Sequence, residues 1–361
     1  MAPRSHLVKH PIQKLLLIRL GAMGDLIHLS PSITEIQRQR PDIEVHILTS
    51  PAFAEMVSGF EGMTADRVWV FEKPSGALAS YKNIGDMARK LGEIGIDGVV
   101  NLHPSFKTWL LTRMILGRSK GKRSSVYHKQ KLRKKGSRQR TISRRHAVDD
   151  FYVPVQKLLK LSKMADHAPY YPTNRSQQQD TAASGFWVAV IPGVGSKRAN
   201  RAWPLRYWRR LIDSLVQEHG CRVVLIGGQA EQQTAEMLAM ETNAVNRCGD
   251  YSIIETIEVL SHCHLAIGGD TGPVHLAAAV GLPVISVFGP TAVSRTGPLG
   301  RDRIEALTPP QSLGCWPCEL SECPLPGDQY LSCMTQVTVE EVIANCVSIG
   351  KEAVGKDQLQ V

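Results

Sequence analysis

The sequence of 361 residues has no apolar run approaching the roughly 20 residues that a membrane-spanning helix needs. Near its beginning, Lys14 and Arg19 flank a short apolar run and no small-residue cleavage site follows, so we expect no secretory signal peptide. These absences predict a cytoplasmic protein. The eight cysteines agree with that location if they are thiols or metal ligands, because disulfide bonds rarely persist there.

Two binding motifs are also missing. The chain has no Asp-x-Asp pair, which disfavours a transferase that holds a nucleotide-sugar donor through a carboxylate-bound metal ion. The glycine turn at 21–25 lacks the G-x-G-x-x-G spacing, and the next predicted strand ends at 48–51 without an acid to hold a ribose. The sequence therefore disfavours a dehydrogenase.

Charge is concentrated in one segment. Of the 43 Lys and Arg residues, 13 lie in residues 118–145, which contain no acid, and the remaining 30 stand against 33 acidic residues. The net charge of +10 thus comes from this segment alone. We predict a basic loop that meets an anionic partner, and no general nucleic-acid-binding surface.

Strands and helices alternate in both halves of the chain, which predicts an α/β fold with two doubly wound parallel sheets. Pro31 lies early in the first predicted helix, which could begin or bend there. The polar stretch 172–184 reads as a linker. We predict a first domain over 1–171, a second over 185–336, and a helix within 337–361 that could cross back to the first domain.

The residues from Ile267 to Ala279 carry the strongest functional pattern. An apolar strand leads into a glycine-rich turn, with Asp270 or Thr271 at the N-cap position and Pro273 in the first helical turn. Such a helix start is a ready anion site. A well-capped turn alone explains Asp or Thr, but not the adjacent glycines and His275. We therefore predict phosphate binding here.

Two more turns of the second domain carry candidate ligand groups at strand ends. Lys197 and Arg201 suit a diphosphate, although most basic loops are simply solvated. Glu231 could accept hydrogen bonds from ribose hydroxyls or satisfy the helix dipole. Because all three turns follow strands of one parallel sheet, we expect them at one edge.

In the first domain, Asp25 follows the glycine turn and could be a general base or simply an N-cap. Gly24 would allow a substrate to approach the backbone, and His103 lies at another strand end. A separate cluster, Cys315, Cys318, Cys323 and Cys333, could close a structural zinc site or could be a reduced, partly buried loop.

With these residues in view, the chain resembles the bacterial lipopolysaccharide heptosyltransferases of glycosyltransferase family 9. The resemblance lies in RLGAMGDLIHLSPSI near the start, HAVD at 146–149, the run at 269–291 and the cysteine-rich tail. It implies a GT-B architecture, in which two facing Rossmann-like domains leave a cleft between them. It also implies an inverting transfer of heptose from ADP-heptose to the Kdo–lipid A or heptosyl-Kdo inner core.

The resemblance further implies roles for individual residues. Asp25 would be the catalytic base, and no cofactor would be required. The donor would be bound by Lys197, Arg201, Glu231, Asp270, Thr271, Gly272 and His275, and the acceptor by Gly24, His103, Lys120, Lys122 and Arg123. The partners would be the ADP-sugar, the lipid A–Kdo acceptor and the anionic inner-membrane surface, where the protein would be peripheral. Another nucleotide-sugar enzyme, such as an epimerase, and a non-catalytic anion-binding protein remain alternatives.

Overall fold

The computed structural model describes residues 11–72, 77–117, 123–126, 145–173, 185–193 and 195–354. The chain divides into two compact units, one formed by 1–129 with 148–167 and the other by 130–147 with 168–361. Each unit contains one parallel sheet with helices, which confirms the predicted α/β class. The domain limits inferred from the sequence stay predictions.

The first unit is built on a five-stranded parallel sheet in the order β3-β2-β1-β4-β5. Its strands are β1 (Lys14–Ile18), β2 (Glu44–Thr49), β3 (Val68–Val70), β4 (Gly98–Asn101) and β5 (Arg123–Val126). In the central strand β1, Leu17 pairs with Ile47 of β2 and Val100 of β4. A central parallel strand is covered on both faces, which explains the continuous apolar run of β1.

The first helix of this unit contains a proline. The helices of the unit are α1 (Met23–Gln39), α2 (Ala54–Ser58), α3 (Ala77–Glu93), α4 (Phe106–Leu116) and α5 (Ala147–Leu159). Pro31 has no N–H to donate to the Ile27 carbonyl, but the Ser30 hydroxyl donates to that oxygen at 2.8 Å. α1 therefore begins at Met23 rather than at Pro31.

Part of the predicted basic loop is a strand, so the prediction of a loop over the whole segment is wrong there. β5 pairs in parallel with β4 at the edge of the sheet. Its Arg-Ser-Ser sequence lacks the alternation of apolar and polar residues that predicts a strand. Charged and polar residues are nevertheless common on edge strands. Residues 118–122 and 127–144 of the segment lie outside the described residues.

The second unit contains a six-stranded parallel sheet in the order β11-β10-β9-β6-β7-β8. Its strands are β6 (Trp187–Ile191), β7 (Arg222–Leu225), β8 (Val245–Asn246), β9 (Leu265–Gly269), β10 (Val284–Val287) and β11 (Ile304–Leu307). The edge strands β8 and β11 are short, and their residues are half-buried or exposed.

In the second unit, the apolar face of the last helix completes the core. The helices of this unit are α6 (Leu205–Asp213), α7 (Gln232–Glu241), α8 (Ile253–His262), α9 (Gly272–Ala279), α10 (Val293–Thr296), α11 (Ser332–Thr335) and α12 (Val339–Val354). On α12, Val342 and Ile349 are buried with Trp203 and Trp208 in the second core. The predicted crossing of this helix back to the first domain stays a prediction.

Each unit has its own hydrophobic core. Leu16 and Ile18 of β1 contribute to the first core with Ile84 of α3 and Leu111 of α4.

Among the helices of the described ranges, none combines the length and apolar character required to cross a bilayer.

Candidate active site

In the first unit, Asp25 is held by two donors on one of its carboxylate oxygens. The guanidinium of Arg19 forms an ion pair with Oδ2, and the Ala22 amide donates to the same oxygen at 3.3 Å. The Asp25 side chain is 34% exposed. The position of Asp25 is therefore compatible with both roles that the sequence leaves open, a general base and an N-cap. Its carboxylate contacts the start of the helix and still reaches solvent.

Arg19 joins the ends of two neighbouring strands, and sequence reasoning missed it as a site residue. Its Nη1 donates to the Leu102 carbonyl at 2.5 Å, and its guanidinium carbon lies 4.9 Å from the centre of the Phe151 ring. Since Leu102 directly follows β4, Arg19 connects the turn before α1 to the turn before α4. The only available signal was a charged residue one position after a buried strand.

Gly21 determines the shape of the turn that carries Asp25. Its φ of +142° is a backbone conformation that favours glycine, and an added Cβ would lie 2.9 Å from Cε2 of Phe53. Gly24 lies in the first turn of α1. The glycine turn therefore brings the backbone close to a neighbouring side chain while leaving Asp25 accessible.

The structure describes only some of the other predicted acceptor residues. His103 follows β4, and its carbonyl accepts a hydrogen bond from the Thr108 hydroxyl at 2.6 Å, so it lies at the same carboxyl edge as Asp25. Arg123 begins β5, but its side chain lies outside the described residues, as do Lys120 and Lys122 entirely. The acceptor assignments stay predictions.

In the second unit, the three predicted glycine turns lie at the ends of strands that are neighbours in the order β9-β6-β7. Gly268 belongs to the end of β9 itself rather than to a turn, whereas Gly193 and Gly227 follow β6 and β7. We call these three strand ends the glycine edge. An alanine Cβ at Gly268 would lie 2.4 Å from Cγ2 of Val274 and 2.9 Å from Cβ of Ile191. Glycine is thus required at this position of β9 for α9 to pack closely against the sheet.

Replacing Gly268 by Ala should lower the free energy of unfolding of the second unit by about 1–3 kcal/mol, as overpacking does. Urea unfolding followed through the emission of the buried Trp203 and Trp208 would measure it. Gly314→Ala is the matched control, because nothing lies within 4 Å of an added Cβ there. A Gly268→Ala protein as stable as the control would contradict the packing argument.

Asp270 is buried and its carboxylate is engaged by protein groups. Its Oδ2 lies 2.7 Å from Nη1 of Arg201 and accepts the Thr291 hydroxyl at 2.6 Å. Its Oδ1 lies 4.0 Å from Nε2 of His275. The Asp270 side chain is only 5% exposed, so its immediate effect is to hold Arg201 at the glycine edge.

The N-terminus of α9 has Thr271 at the N-cap position, with Pro273 in the first turn. The Thr271 side chain makes no capping hydrogen bond, and both Thr271 and Gly272 are half-buried. Pro273 has no N–H, and the Val274 amide donates to the Thr271 carbonyl at 3.2 Å, so the helix-start amide that can bind an anion is that of Gly272, beside the Thr271 hydroxyl.

A second buried ion pair lies beside Arg201. Nη2 of Arg295 lies 2.5 Å from Oε2 of Glu319, and the Ala292 amide donates to Oε1 at 3.0 Å. Burial alone would raise the pKa of Glu319, but the hydrogen bonds from Arg295 and Ala292 outweigh it and the pKa lies below its ordinary value. Burial lowers the pKa of Arg201, and the charge of Asp270 opposes that change.

Glu231 lies between two turns of the glycine edge. Its Oε2 accepts a hydrogen bond from the Gly228 amide at 3.0 Å, and an alanine Cβ at Gly193 would lie 2.0 Å from its Cγ. Lys197 lies in the short helix Ser196–Arg201, but its side chain is outside the described residues. The structure thus brings Glu231, Arg201 and the start of α9 to adjacent strand ends, and their donor-binding roles stay predictions.

The four cysteines of the predicted zinc site are all free thiols. Burial, followed by the smaller effects of the charges on Cys318, Cys315 and Cys323, raises the pKa of Cys333 to about 12. Within the described ranges, no three His, Cys, Asp or Glu side chains are arranged to hold a metal ion. A structural metal is therefore supported by the spacing alone and stays a prediction.

Comparison with known proteins identifies the class. Residues 84–326 match the model of glycosyltransferase family 9 (heptosyltransferase). The chain is 25% identical over 320 residues to lipopolysaccharide heptosyltransferase 1 of Pseudomonas aeruginosa, covering 86% of this chain and 87% of that protein. It is 22% identical to lipooligosaccharide heptosyltransferase 2 of Campylobacter jejuni, covering 92% of this chain and 96% of that protein.

Solved structures resemble the whole chain as well. An E. coli heptosyltransferase with ADP has a TM-score of 0.68 at 21% identity, and the match covers 93% of this chain and 99% of that one. E. coli ADP-heptose LPS heptosyltransferase II has a TM-score of 0.70 at 14% identity, covering 93% and 98%. These likenesses show the fold, the GT-B fold of two Rossmann-like domains. The chain belongs to glycosyltransferase family 9 and is a glycosyltransferase.

Proposed function

We propose that this enzyme transfers a heptose from ADP-heptose to the inner core of lipopolysaccharide, with inversion at the anomeric carbon. The observation that carries the proposal is the glycine edge of the second unit, where Arg201 and the start of α9 lie at adjacent strand ends. The relatives named as lipopolysaccharide and lipooligosaccharide heptosyltransferases support the sugar and the acceptor. An E. coli heptosyltransferase solved with ADP-2-deoxy-2-fluoro heptose supports the donor.

The proposed donor site needs groups that stabilise a departing diphosphate. The Gly272 amide at the start of α9 and the Thr271 hydroxyl would bind the phosphate oxygens, and Arg201 would add a fixed positive charge with Lys197. Glu231 would accept hydrogen bonds from the ribose. We propose that these groups, rather than a carboxylate-held metal ion, neutralise the leaving ADP, because the sequence has no Asp-x-Asp pair.

The proposed base is Asp25. Its two described hydrogen-bonded contacts both end on Oδ2, so Oδ1 is the oxygen we assign to the acceptor hydroxyl. As that hydroxyl oxygen attacks the anomeric carbon, its proton moves to Asp25, and the bond from the anomeric carbon to the ADP oxygen breaks. The sugar passes through an oxocarbenium-like state, as in glycoside hydrolysis.

The proposed acceptor is an inner-core saccharide on lipid A, carrying phosphate and carboxylate groups. The 13 basic residues of 118–145 supply the complementary charge. This acceptor would keep the enzyme at the cytoplasmic face of the inner membrane. The relatives comprise heptosyltransferases numbered 1 and 2, so we propose the inner core as the acceptor class without choosing the position.

Isothermal titration with ADP and with UDP tests the proposed donor. We expect ADP to bind at least tenfold more tightly than UDP, and Thr271→Ala to weaken ADP binding because a hydroxyl donor is lost. Thr242→Ala is a matched control, because its buried hydroxyl donates to the Leu238 carbonyl within α7 at 2.7 Å. A preference for UDP would contradict the ADP-heptose assignment, and no binding of either nucleotide would contradict a nucleotide-sugar enzyme.

A further inference from the structure

The outward face of α4 carries large apolar side chains that the protein does not cover. Phe106 is 63% exposed, Trp109 is 52% exposed and Met114 is 47% exposed. The opposite face of the same helix, with Leu111 and Ile115, is fully or almost fully buried. The outer face of a surface helix is ordinarily polar, so the large exposed apolar side chains on the outer face of α4 suggest that a partner covers them.

These side chains group at two places, one on α4 and one where α4 meets α3. The rings of Phe106 and Trp109 stack with their centres 5.9 Å apart. Met114 reaches α3, where an added Cβ on Gly85 would lie 3.9 Å from its Cε. Tyr81, one helical turn before Gly85, is 52% exposed. We call Phe106, Trp109, Met114 and Tyr81 the aromatic face; large exposed apolar side chains on two adjoining helices are typical of an interaction site.

The charges on α4, and those in the sequence that follows it, indicate the chemistry of the partner. Lys107 and Arg113 lie on the exposed side of α4. From Asn101 to Val148 the sequence contains 15 Lys or Arg residues and no Asp or Glu. Aromatic side chains combined with Lys and Arg are typical of segments that lie in the interface of an anionic bilayer. A protein surface that matched this face would need a dense acidic patch, whereas anionic phospholipid supplies that charge everywhere.

We propose that the aromatic face inserts into the headgroup region of an anionic phospholipid bilayer, with Phe106 and Trp109 at its centre. The inference rests on the proposed function for its purpose, because α4 starts at the sheet edge where Arg19 joins Asp25 to the Leu102 carbonyl. Docking there presents a lipid-linked acceptor to the edge that carries the proposed base. The basic residues attract the surface, and the aromatic side chains anchor to it.

Vesicle sedimentation of the full chain tests the proposal. We expect binding to phosphatidylethanolamine–phosphatidylglycerol vesicles and much weaker binding to phosphatidylcholine vesicles. Phe106→Ser with Trp109→Ser should lower the partition coefficient for the anionic vesicles at least tenfold. The matched control replaces Met237 and Met240 of α7, which are 50% and 88% exposed, by Ser. Unchanged binding of the first variant, or an equal loss in the control, would overturn the proposal.

A second readout reports insertion directly. Anionic vesicles with brominated acyl chains should quench part of the tryptophan emission of the wild-type protein, because Trp109 enters the bilayer. Trp109→Phe keeps an aromatic anchor, so it should still bind these vesicles but lose most of the quenching. Equal quenching in both proteins would overturn the assignment of Trp109.

Two other outcomes are also decisive. If the wild-type protein forms a dimer that the Phe106→Ser, Trp109→Ser variant dissolves, and vesicle binding is unchanged, the aromatic face contacts a second copy of the chain and the proposal fails. ADP binding and transfer to a lipid-free acceptor do not involve this face. Their retention in the double variant would separate a failure of membrane docking from a failure of the proposed function.

Discussion

Replacing Asp25 by Asn is expected to lower the turnover of heptosyl transfer by about 100- to 10,000-fold, the usual contribution of a general base. Asn keeps the side-chain oxygen that accepts from the Ala22 amide, so the start of α1 should stay intact. It can no longer accept the proton of the acceptor hydroxyl. ADP affinity should be unchanged, because the proposed donor groups belong to the second unit. Steady-state kinetics with isothermal titration would measure both effects.

The matched control for Asp25 is Glu55→Gln. Glu55 is an exposed acid in the first turn of α2, as Asp25 is in the first turn of α1, but it lacks the Arg19 ion pair. Its replacement should leave turnover within about twofold, since surface substitutions of this kind rarely have larger effects. Full activity of a folded Asp25→Asn protein would show that Asp25 only caps its helix.

Replacing Arg201 by Met is expected to destabilise the second unit by about 3–5 kcal/mol, because it leaves the buried carboxylate of Asp270 without its ion-pair partner. The double replacement Arg201→Met, Asp270→Asn removes both charges and should recover most of this loss. Thr291 can still donate its hydroxyl to the Asn oxygen at position 270. Urea unfolding of the three proteins would measure these differences.

ADP binding by the double variant separates two roles of Arg201. If Arg201 contacts the diphosphate, the double variant should be stable but bind ADP at least tenfold more weakly. Normal ADP affinity would mean that Arg201 serves the fold alone. Arg209→Ala is the matched control, because Arg209 pairs with Glu241 at 3.1 Å on the surface, where such a pair contributes at most about 1 kcal/mol.

Two ion pairs, Asp270 with Arg201 and Glu319 with Arg295, determine the positions of cations in the second unit. Asp270 and Glu319 each face an arginine, and both carboxylates are nearly inaccessible to solvent. Their physical effect is to fix the positions of Arg201 and Arg295 before any ligand arrives. A cation held in this way loses little side-chain entropy on binding an anion, which is the usual advantage of a preorganised site.

The sequence by itself determined the strands that lie in the interior of the sheets and the turns that follow them. Apolar runs identify β1, β6 and β9 because central parallel strands are buried on both faces. Glycines mark the strand ends because close packing there excludes a Cβ, as it does at Gly268 at the end of β9. The resemblance to family 9 added the class of enzyme, which the family match confirmed.

The tertiary structure alone decided the edge strands and the direction of the charged side chains. β5 is polar and is a strand because it pairs with β4, a pairing that no local sequence pattern predicts. Asp270 looks like a capping residue in the sequence, yet it turns inward to Arg201 and Thr291, which come from other strand ends. Arg19 likewise meets Asp25 and Leu102 only because β1 and β4 are neighbours. Local sequence sets backbone conformation, whereas the partners of a buried charge are set by which strands lie side by side.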